Sequence, residues 1–255
     1  MMSEQVKSLV KSMRVLEYLS RHPDGAPLHE ITRQTGINKT SVYRMLTTFE
    51  SLGYVTQQAS TKNYRLTLKL LHIGHSALSS DVLTIIRPEL NTLMSELDET
   101  VNLISREGDK IVFRDKLEPR YASFRTRTFV GIYAEMYCTA AGKVFLAFST
   151  CEDQENYWQR NIRLFQKLTD NTITEKKRFF EELNTIRSQG YAVDNEENEA
   201  GISCTAVPVF DNSGAPAYSV SVSTLTPRLR SLGPEKLSGI IQRSTSRIEQ
   251  ELFRK

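Results

Sequence analysis

Histidine is missing from residues 76–255, because the four histidines of this 255-residue chain are His22, His29, His72 and His75. A catalytic Cys–His or Ser–His pair is therefore impossible in the longer part of the chain, which also lacks the commonest general base and metal ligand. No segment matches the Gly-rich patterns that hold phosphates in nucleotide-dependent proteins. These absences disfavour an enzyme, and we expect no catalytic residue and no cofactor.

Cysteine and long apolar runs are also scarce. The three cysteines, Cys138, Cys151 and Cys204, are odd in number and lack the paired spacing of metal sites, which indicates a reduced protein without bound metal. The apolar runs are short and the first eight residues are polar, so we expect neither a membrane span nor a secretion signal. The expected location is the cytoplasm.

Positive charge is concentrated in the first third of the chain. Through His75 there are ten Lys and Arg against five Asp and Glu, whereas the remainder has 23 against 25. Such an imbalance fits a nucleic-acid surface or simply a solvated basic face. The length and the 39% of apolar residues allow one or two domains, each with a buried core.

The first 52 residues have the pattern of three short helices. Apolar residues recur at helical spacing over 6–19, and the Pro and Gly of 22–25 interrupt them. A second helix is expected at 28–35, followed by Gly36 as a left-handed residue and Asn38 as the cap of a third helix. Two helices joined by a tight turn indicate a helix-turn-helix, with a structural three-helix bundle as the alternative.

The polar face of the third helix has few acids and suits the major groove of DNA. Its candidate DNA-binding residues are Lys39, Thr40, Ser41, Tyr43, Arg44 and Thr47. Strand-like residues at 54–58 and 64–67 then form a hairpin typical of a wing, where Lys62 and Arg65 can reach phosphates or the minor groove. A winged helix that binds only proteins is the competing interpretation.

The remainder mixes helices with antiparallel hairpins, which favours the α+β class. A helix is expected at 68–86, with a weak middle around Gly74 that allows it to bend, and Pro88 should kink or restart it. Later helices are expected at 140–148, at 174–188 with a capping box formed by Thr172 and Glu175, and at 234–253. The expected strands are 101–106, 111–116, 203–210 and 217–224.

Serine and valine alternate in the last of these strands. Ser221 and Ser223 share one face with Ser219, whereas the valines share the other. That serine face fits either solvent or a binding pocket. Asp194 is similarly ambiguous between a turn and a ligand contact, and Cys204 between a core residue and a ligand contact.

Six strings in this sequence together resemble the IclR family of bacterial transcriptional regulators. The strings are 36–46 (GINKTSVYRML), 52–55 (LGYV), 64–66 (YRL), 140–147 (AAGKVFLA), 190–197 (GYAVDNEE) and 201–211 (GISCTAVPVFD). The resemblance implies a winged helix-turn-helix at 1–67, a linker helix at 68–86 and a GAF-like effector-binding domain at 87–255. It also implies a homodimer or homotetramer on double-stranded palindromic operator DNA.

The resemblance also implies an effector site. Asp194, Cys204, Ser221 and Ser223 match effector contacts of the family. Three further residues match contacts as well, and they are Ala140, where the family often has Gly, Ala141 and Ile202. Shorter stretches, such as 125–127 (RTR) and 196–199 (EENE), are similar to members that govern the catabolism of sugar acids such as diketogulonate.

The physical requirements of an acid ligand agree with that site. N–H groups at the start of the helix near 140–142 suit a carboxylate, and Arg125 or Arg127 is a candidate clamp, with a solvent-exposed surface role as the equal alternative. Repression of a carbohydrate or sugar-acid operon, controlled by a small carboxylic acid, is the expected function. The alternatives are an activator or dual regulator that responds to an aromatic or other organic acid, and, from another class, a small-molecule hydrolase.

Overall fold

The computed structural model describes residues 5–75, 80–121 and 124–253, and it divides the chain into two compact units, Met1–Ser79 and Ser80–Lys255. The first unit consists of α1 Lys7–Ser20, α2 Leu28–Thr35, α3 Lys39–Ser51, β1 Val55–Gln57, β2 Tyr64–Leu66 and α4 Lys69–His75. This order confirms the predicted helix-turn-helix followed by a hairpin.

Local sequence signals explain the turns of the first unit. Gly36 ends α2 at φ 66°, in the left-handed region that favours glycine. The Asn38 side chain accepts a hydrogen bond from the Ser41 N–H at 2.9 Å and thereby caps α3, as predicted. Ala26 and Tyr64 exchange two backbone hydrogen bonds, so a third extended segment joins the hairpin and ties it to the helices.

The second unit is built on a six-stranded antiparallel sheet, and its α+β class is confirmed. Its elements are α5 Ser80–Leu97, β3 Thr100–Glu107, β4 Lys110–Leu117, β5 Tyr133–Glu135, α6 Ala140–Ala147, α7 Cys151–Asn161, α8 Lys176–Gln189, β6 Ala192–Asn195, β7 Ile202–Phe210, β8 Pro216–Leu225, α9 Thr226–Leu232 and α10 Pro234–Leu252. The strand order is β5-β4-β3-β8-β7-β6, so β3 and β8 are paired although they are far apart in sequence.

Each face of this sheet covers its own apolar core. On one face the valines of β8 pack with α5 and α10 in a cluster that includes Val222, Leu90 and Ile241. On the other face α6, α7 and α8 form a cluster around Tyr157 and Phe179. All eight residues of α6 are buried, because the helix lies between the sheet and α8.

The predicted capping box of α8 and the predicted restart of a helix at Pro88 are wrong. Glu175 is the N-cap of α8 but makes no side-chain cap bond, and Thr172 instead donates its hydroxyl to the Glu197 carbonyl at 2.6 Å. Pro88 lies inside α5, which runs without interruption from Ser80. The helices α7 and α9 and the strands β5 and β6 were not predicted.

The predicted domain bounds and linker stay predictions. The two compact units meet between residues 79 and 80, within the predicted linker, but part of that linker lies outside the described residues. In the part of the chain that the structure describes, no helix is both long and apolar enough to cross a membrane.

Candidate functional site

The exposed face of α3 carries the residues predicted to contact DNA. Lys39, Thr40, Tyr43, Arg44 and Thr47 are exposed, and Ser41 is half-buried beside the Asn38 cap. The opposite face of the helix is anchored in the core of the first unit by Val42 and Leu46. A polar helix face presented by a rigid core is the arrangement that enters the major groove.

The hairpin presents the two remaining predicted basic residues. Lys62 lies in its turn at φ 60°, where its carbonyl accepts a hydrogen bond from the Gln57 side chain at 3.0 Å. Arg65 is exposed on β2, opposite Thr56. Lys69, a basic residue that the sequence reasoning missed, donates to the Leu52 carbonyl at 2.7 Å and supports the end of α3.

The electrostatics of this surface favour an anion. The first turn of α3 carries no acidic residue. Within residues 5–75, no ion pair is formed by the four basic residues predicted to contact DNA, which are Lys39, Arg44, Lys62 and Arg65. Their charges are therefore available to phosphates, whose neutralisation by Lys and Arg supplies most non-specific DNA affinity.

A cavity of about 410 Å³ lies in the second unit, between the sheet and the start of α6. All seven residues predicted to contact an effector line it: Ala140, Ala141, Asp194, Ile202, Cys204, Ser221 and Ser223. Apart from Arg127, its other lining residues were not predicted, and among them are the apolar Ile104, Ile111, Phe113 and Ile132 and the polar Thr126, Thr128, Glu135 and Asn198. A mostly apolar cleft with a few convergent polar groups is the usual form of a small-molecule site.

The polar groups of the cavity floor form a row across three strands. Asp194 of β6 is opposite Cys204 of β7, which is opposite Ser223 of β8. The Cys204 thiol donates to the Ser223 hydroxyl at 3.2 Å. Ser221 and Ser223 are about 5% and 4% exposed, so the interpretation of a solvent-facing serine strand is wrong.

Asp194 closes a turn and also faces the cavity. Its Oδ1 accepts hydrogen bonds from the N–H groups of Glu197 at 2.6 Å and Asn198 at 3.4 Å, which fixes the loop between β6 and β7. Burial raises the pKa of this carboxyl to about 7, helped by the nearby Glu197 charge and opposed by Lys143. Near neutral pH the Asp194 carboxyl is therefore present in both its protonated and its deprotonated form.

Lys143 supports the same loop from within the core, and the sequence reasoning missed it. Its Nζ donates to Glu197 at 2.5 Å, to Glu182 at 2.8 Å and to the Val193 carbonyl at 2.7 Å. Burial alone would lower the pKa of Lys143, but the two carboxylates outweigh it and raise that pKa. A permanently charged Lys143 therefore ties α6 to α8 and to the strand that carries Asp194.

The start of α6 offers fewer free N–H groups than expected. Thr139 caps the helix by accepting from the Gly142 N–H at 3.3 Å, so this group is not available to a ligand. The N–H groups of Ala140 and Ala141 have no acceptor among the described residues. A Cβ atom on Gly142 would lie 2.3 Å from the Met136 Cα, and only glycine fits this close approach.

The rim of the cavity includes one of the two candidate arginine clamps. Arg127 lines the cavity and lies 3.7 Å from Glu199 across its rim, with a side chain that is 92% exposed. Arg125 is exposed and is not part of the lining. Lys116 holds the arginine-bearing segment by donating to the carbonyls of Thr126 and Thr128.

Two protein-family models match most of this chain. The model of the IclR helix-turn-helix domain matches residues 8–59, and the model of the bacterial transcriptional regulator IclR C-terminal domain matches residues 75–250. The DNA-binding transcriptional repressor YiaJ of Escherichia coli is 40% identical over 96% of this chain and 88% of its own. The chain belongs to the IclR family of transcriptional regulators.

Two solved structures extend the comparison. The Thermotoga maritima IclR structure is 30% identical and covers 97% of this chain and 99% of its own, with a TM-score of 0.77. An IclR homologue from Microbacterium hydrocarbonoxydans, complexed with 4-hydroxybenzoate, is 18% identical over 96% of this chain and 98% of its own, with a TM-score of 0.79. The second comparison shows a shared fold.

As an IclR-family member, the protein is a regulator and not a hydrolase. Burial raises the pKa of the Cys204 thiol to about 12, with a further contribution from Asp194, and burial also raises that of Cys138 to about 12. A thiol that stays protonated at neutral pH is a poor nucleophile. Cys204 therefore suits a neutral hydrogen-bonding role in the cavity.

Proposed function

We propose that this protein represses a carbohydrate or sugar-acid catabolic operon, and that a small carboxylic acid bound in the second unit controls operator binding. The observation that carries this proposal is the 410 Å³ cavity, in which all seven expected effector residues meet. Repression is favoured by the repressor YiaJ, a relative that is 40% identical over nearly the whole chain.

In the proposed complex, α3 lies in the major groove. Arg44 and Tyr43 reach base edges, and Lys39, Thr40, Ser41 and Thr47 contact bases or phosphates there. Lys62 and Arg65 contact phosphates or the adjacent minor groove. The first unit of one protomer contacts a single half-site, so binding to a palindromic operator needs a homodimer or homotetramer. The expected location of this complex is the bacterial cytoplasm.

The cavity chemistry favours an acid that also carries hydroxyl groups. The free N–H groups of Ala140 and Ala141 and the hydroxyls of Ser221 and Ser223 suit carboxylate or carbonyl oxygens. Asp194 suits ligand hydroxyls. The 4-hydroxybenzoate complex of a protein with the same fold supports an acid ligand, and the resemblance to regulators of sugar-acid use favours that class.

Control of the operon requires differential binding. The acid must bind the DNA-competent and the DNA-incompetent states with different affinities, because equal affinity for both shifts nothing. A tenfold loss of operator affinity corresponds to about 1.4 kcal/mol of such a difference.

The proposal is tested by a thermal-shift screen with gluconate, 2-oxogluconate, galacturonate and 2,3-diketogulonate, with neutral sorbitol as the control. For a unit of this size, an acid at 100 times its Kd raises the unfolding midpoint by about 5 to 10 °C. Acids that bind are then added to complexes with the promoter DNA upstream of the neighbouring genes. The Asp194→Ala variant should bind DNA normally and lose the response.

Two results would contradict the proposal. If no acid raises the midpoint, or if acids that bind leave the DNA complex unchanged, control by a carboxylic acid is wrong. If the affinity for DNA does not fall as salt rises, the basic face of α3 does not bind phosphates, and a protein-binding winged helix is the better interpretation.

A further inference from the structure

Asn102 is a buried polar residue beside the two serines of the cavity floor, on the same face of the sheet. It lies on β3, where it is opposite Ser221 of β8, and only 1% of it is exposed. It does not line the cavity, so it cannot act on a ligand directly. Its effect on a ligand must pass through the two serines that do line the cavity.

The hydrogen bonds of Asn102 fix the polarity of those serines. Its Nδ2 donates to the Ser221 and Ser223 hydroxyl oxygens at 3.3 Å each. The amide NH₂ is a donor only, so both hydroxyl oxygens act as acceptors in these contacts. The Cys204 thiol donates to Ser223 as well, which occupies the remaining acceptor position of that oxygen.

Each serine then has one hydroxyl proton left over. Among the described residues, neither proton has an acceptor, whereas Ser219 of the same face donates to the Val207 carbonyl at 3.2 Å. Both hydroxyls therefore have a free proton to donate, whereas the Ser223 oxygen has no acceptor position left and the Ser221 oxygen has one. They suit a ligand that presents acceptor oxygens to the cavity floor.

Stability does not explain the presence of Asn102. Its Oδ1 is buried and has no partner among the described residues. Leaving such a group without a hydrogen bond opposes folding, and buried groups of this kind are uncommon in native proteins. An apolar residue of similar shape, such as leucine, would avoid this penalty, which points to a role for the amide in the cavity.

We propose that Asn102 is a positioning residue that turns Ser221 and Ser223 into hydrogen-bond donors, so that the cavity floor selects a carboxylate or carbonyl oxygen. This inference rests on the proposed function of the cavity as an acid-binding site. It assigns the selectivity to a residue outside the lining. Ligands that can only donate to the two serines are therefore disfavoured, because only the Ser221 oxygen keeps an acceptor position.

The direct test reverses the polarity of the amide with Asn102→Asp. The new carboxylate accepts both serine protons, and the two serines then have no proton to offer a ligand. We expect at least about tenfold weaker binding of those of the four sugar acids that bind the wild type, measured by titration calorimetry. The exposed Asn184→Asp, the same substitution on α8, should leave these affinities unchanged.

A second pair of variants tests the same role if Asn102→Asp does not fold. Asn102→Leu is measured in the wild type and in the Ser221→Ala/Ser223→Ala background. If Asn102 acts through the serines, the Asn102→Leu substitution weakens acid binding several-fold in the wild type and has no effect in the background that lacks both serine hydroxyls. A merely structural role would reduce affinity equally in both backgrounds.

The outcomes separate this inference from the proposed function. Acids that bind the wild type and Asn102→Asp equally well, or additive effects in the second pair, would overturn the role of Asn102 and leave the acid-binding site intact. If none of the four acids binds the wild type, the proposed function is overturned and this inference is overturned with it.

Discussion

The carboxyl of Asp194 makes the stability of the second unit depend on pH. Burial raises its pKa from an ordinary 3.8 to about 7, so the folded protein holds this proton over a range in which the unfolded chain has released it. The stability that the neutral carboxyl gives is complete below the unfolded pKa and is lost as the pH rises through the folded pKa. The full loss corresponds to about 4 kcal/mol.

The Asp194→Asn variant removes this titration and keeps the acceptor for the Glu197 N–H. Its stability relative to the wild type should therefore increase by about 2–3 kcal/mol between pH 5 and pH 8, with a slope near 1.4 kcal/mol per pH unit. Lys143, Glu197, Cys138 and Cys204 are present in both proteins, so their own titration largely cancels.

Urea unfolding followed by tryptophan fluorescence measures this difference. Trp158 is the only tryptophan and is buried in α7, so its signal reports the second unit alone. Parallel stability curves for the wild type and Asp194→Asn from pH 5 to pH 8 would refute the raised pKa. A variant that is less stable than the wild type at pH 8 would show that the Asp194 charge itself stabilises the loop.

Four further substitutions test the core and the DNA-binding face. Gly142→Ala should destabilise the second unit severely, because its Cβ would lie 2.3 Å from a backbone Cα, whereas Gly239→Ala in α10, with open space, should stabilise it by about 0.5–1 kcal/mol in thermal unfolding. Lys143→Met should cost about 3–5 kcal/mol in urea unfolding, since it leaves the buried Glu197 without a cation, and a loss below about 1 kcal/mol would contradict this role. Arg44→Ala should weaken operator binding by about 1–3 kcal/mol in fluorescence anisotropy, and an unchanged affinity would remove it from the interface.

The first unit was predictable from sequence because its signals are local. The glycine that ends α2, the asparagine that caps α3 and the apolar spacing of α3 each act within a few residues. The misplaced capping box of α8 shows the limit of such signals. Thr172 and Glu175 have the right spacing, but the Thr172 hydroxyl donates to a carbonyl 25 residues away and is not available to the helix.

Lys143 illustrates a second limit. In sequence it is a lone cation in an otherwise apolar helix, where it is expected to reach solvent. In the structure its side chain is fully buried, and two carboxylates from 39 and 54 residues further along the chain compensate its charge. Spacing along the helix carries no information about these partners.

The cavity floor was predictable along one strand but not across strands. Alternation in β8 correctly placed Ser221 and Ser223 on one face of the strand, but it could not show that this face lines a cavity. Their partner Asn102 is 119 and 121 residues away, on a strand that becomes a neighbour only through the order of the sheet. A row of hydrogen bonds perpendicular to the strands becomes visible only once strand order and register are known, so the residue that sets the donor polarity of this site carries no signal in the sequence.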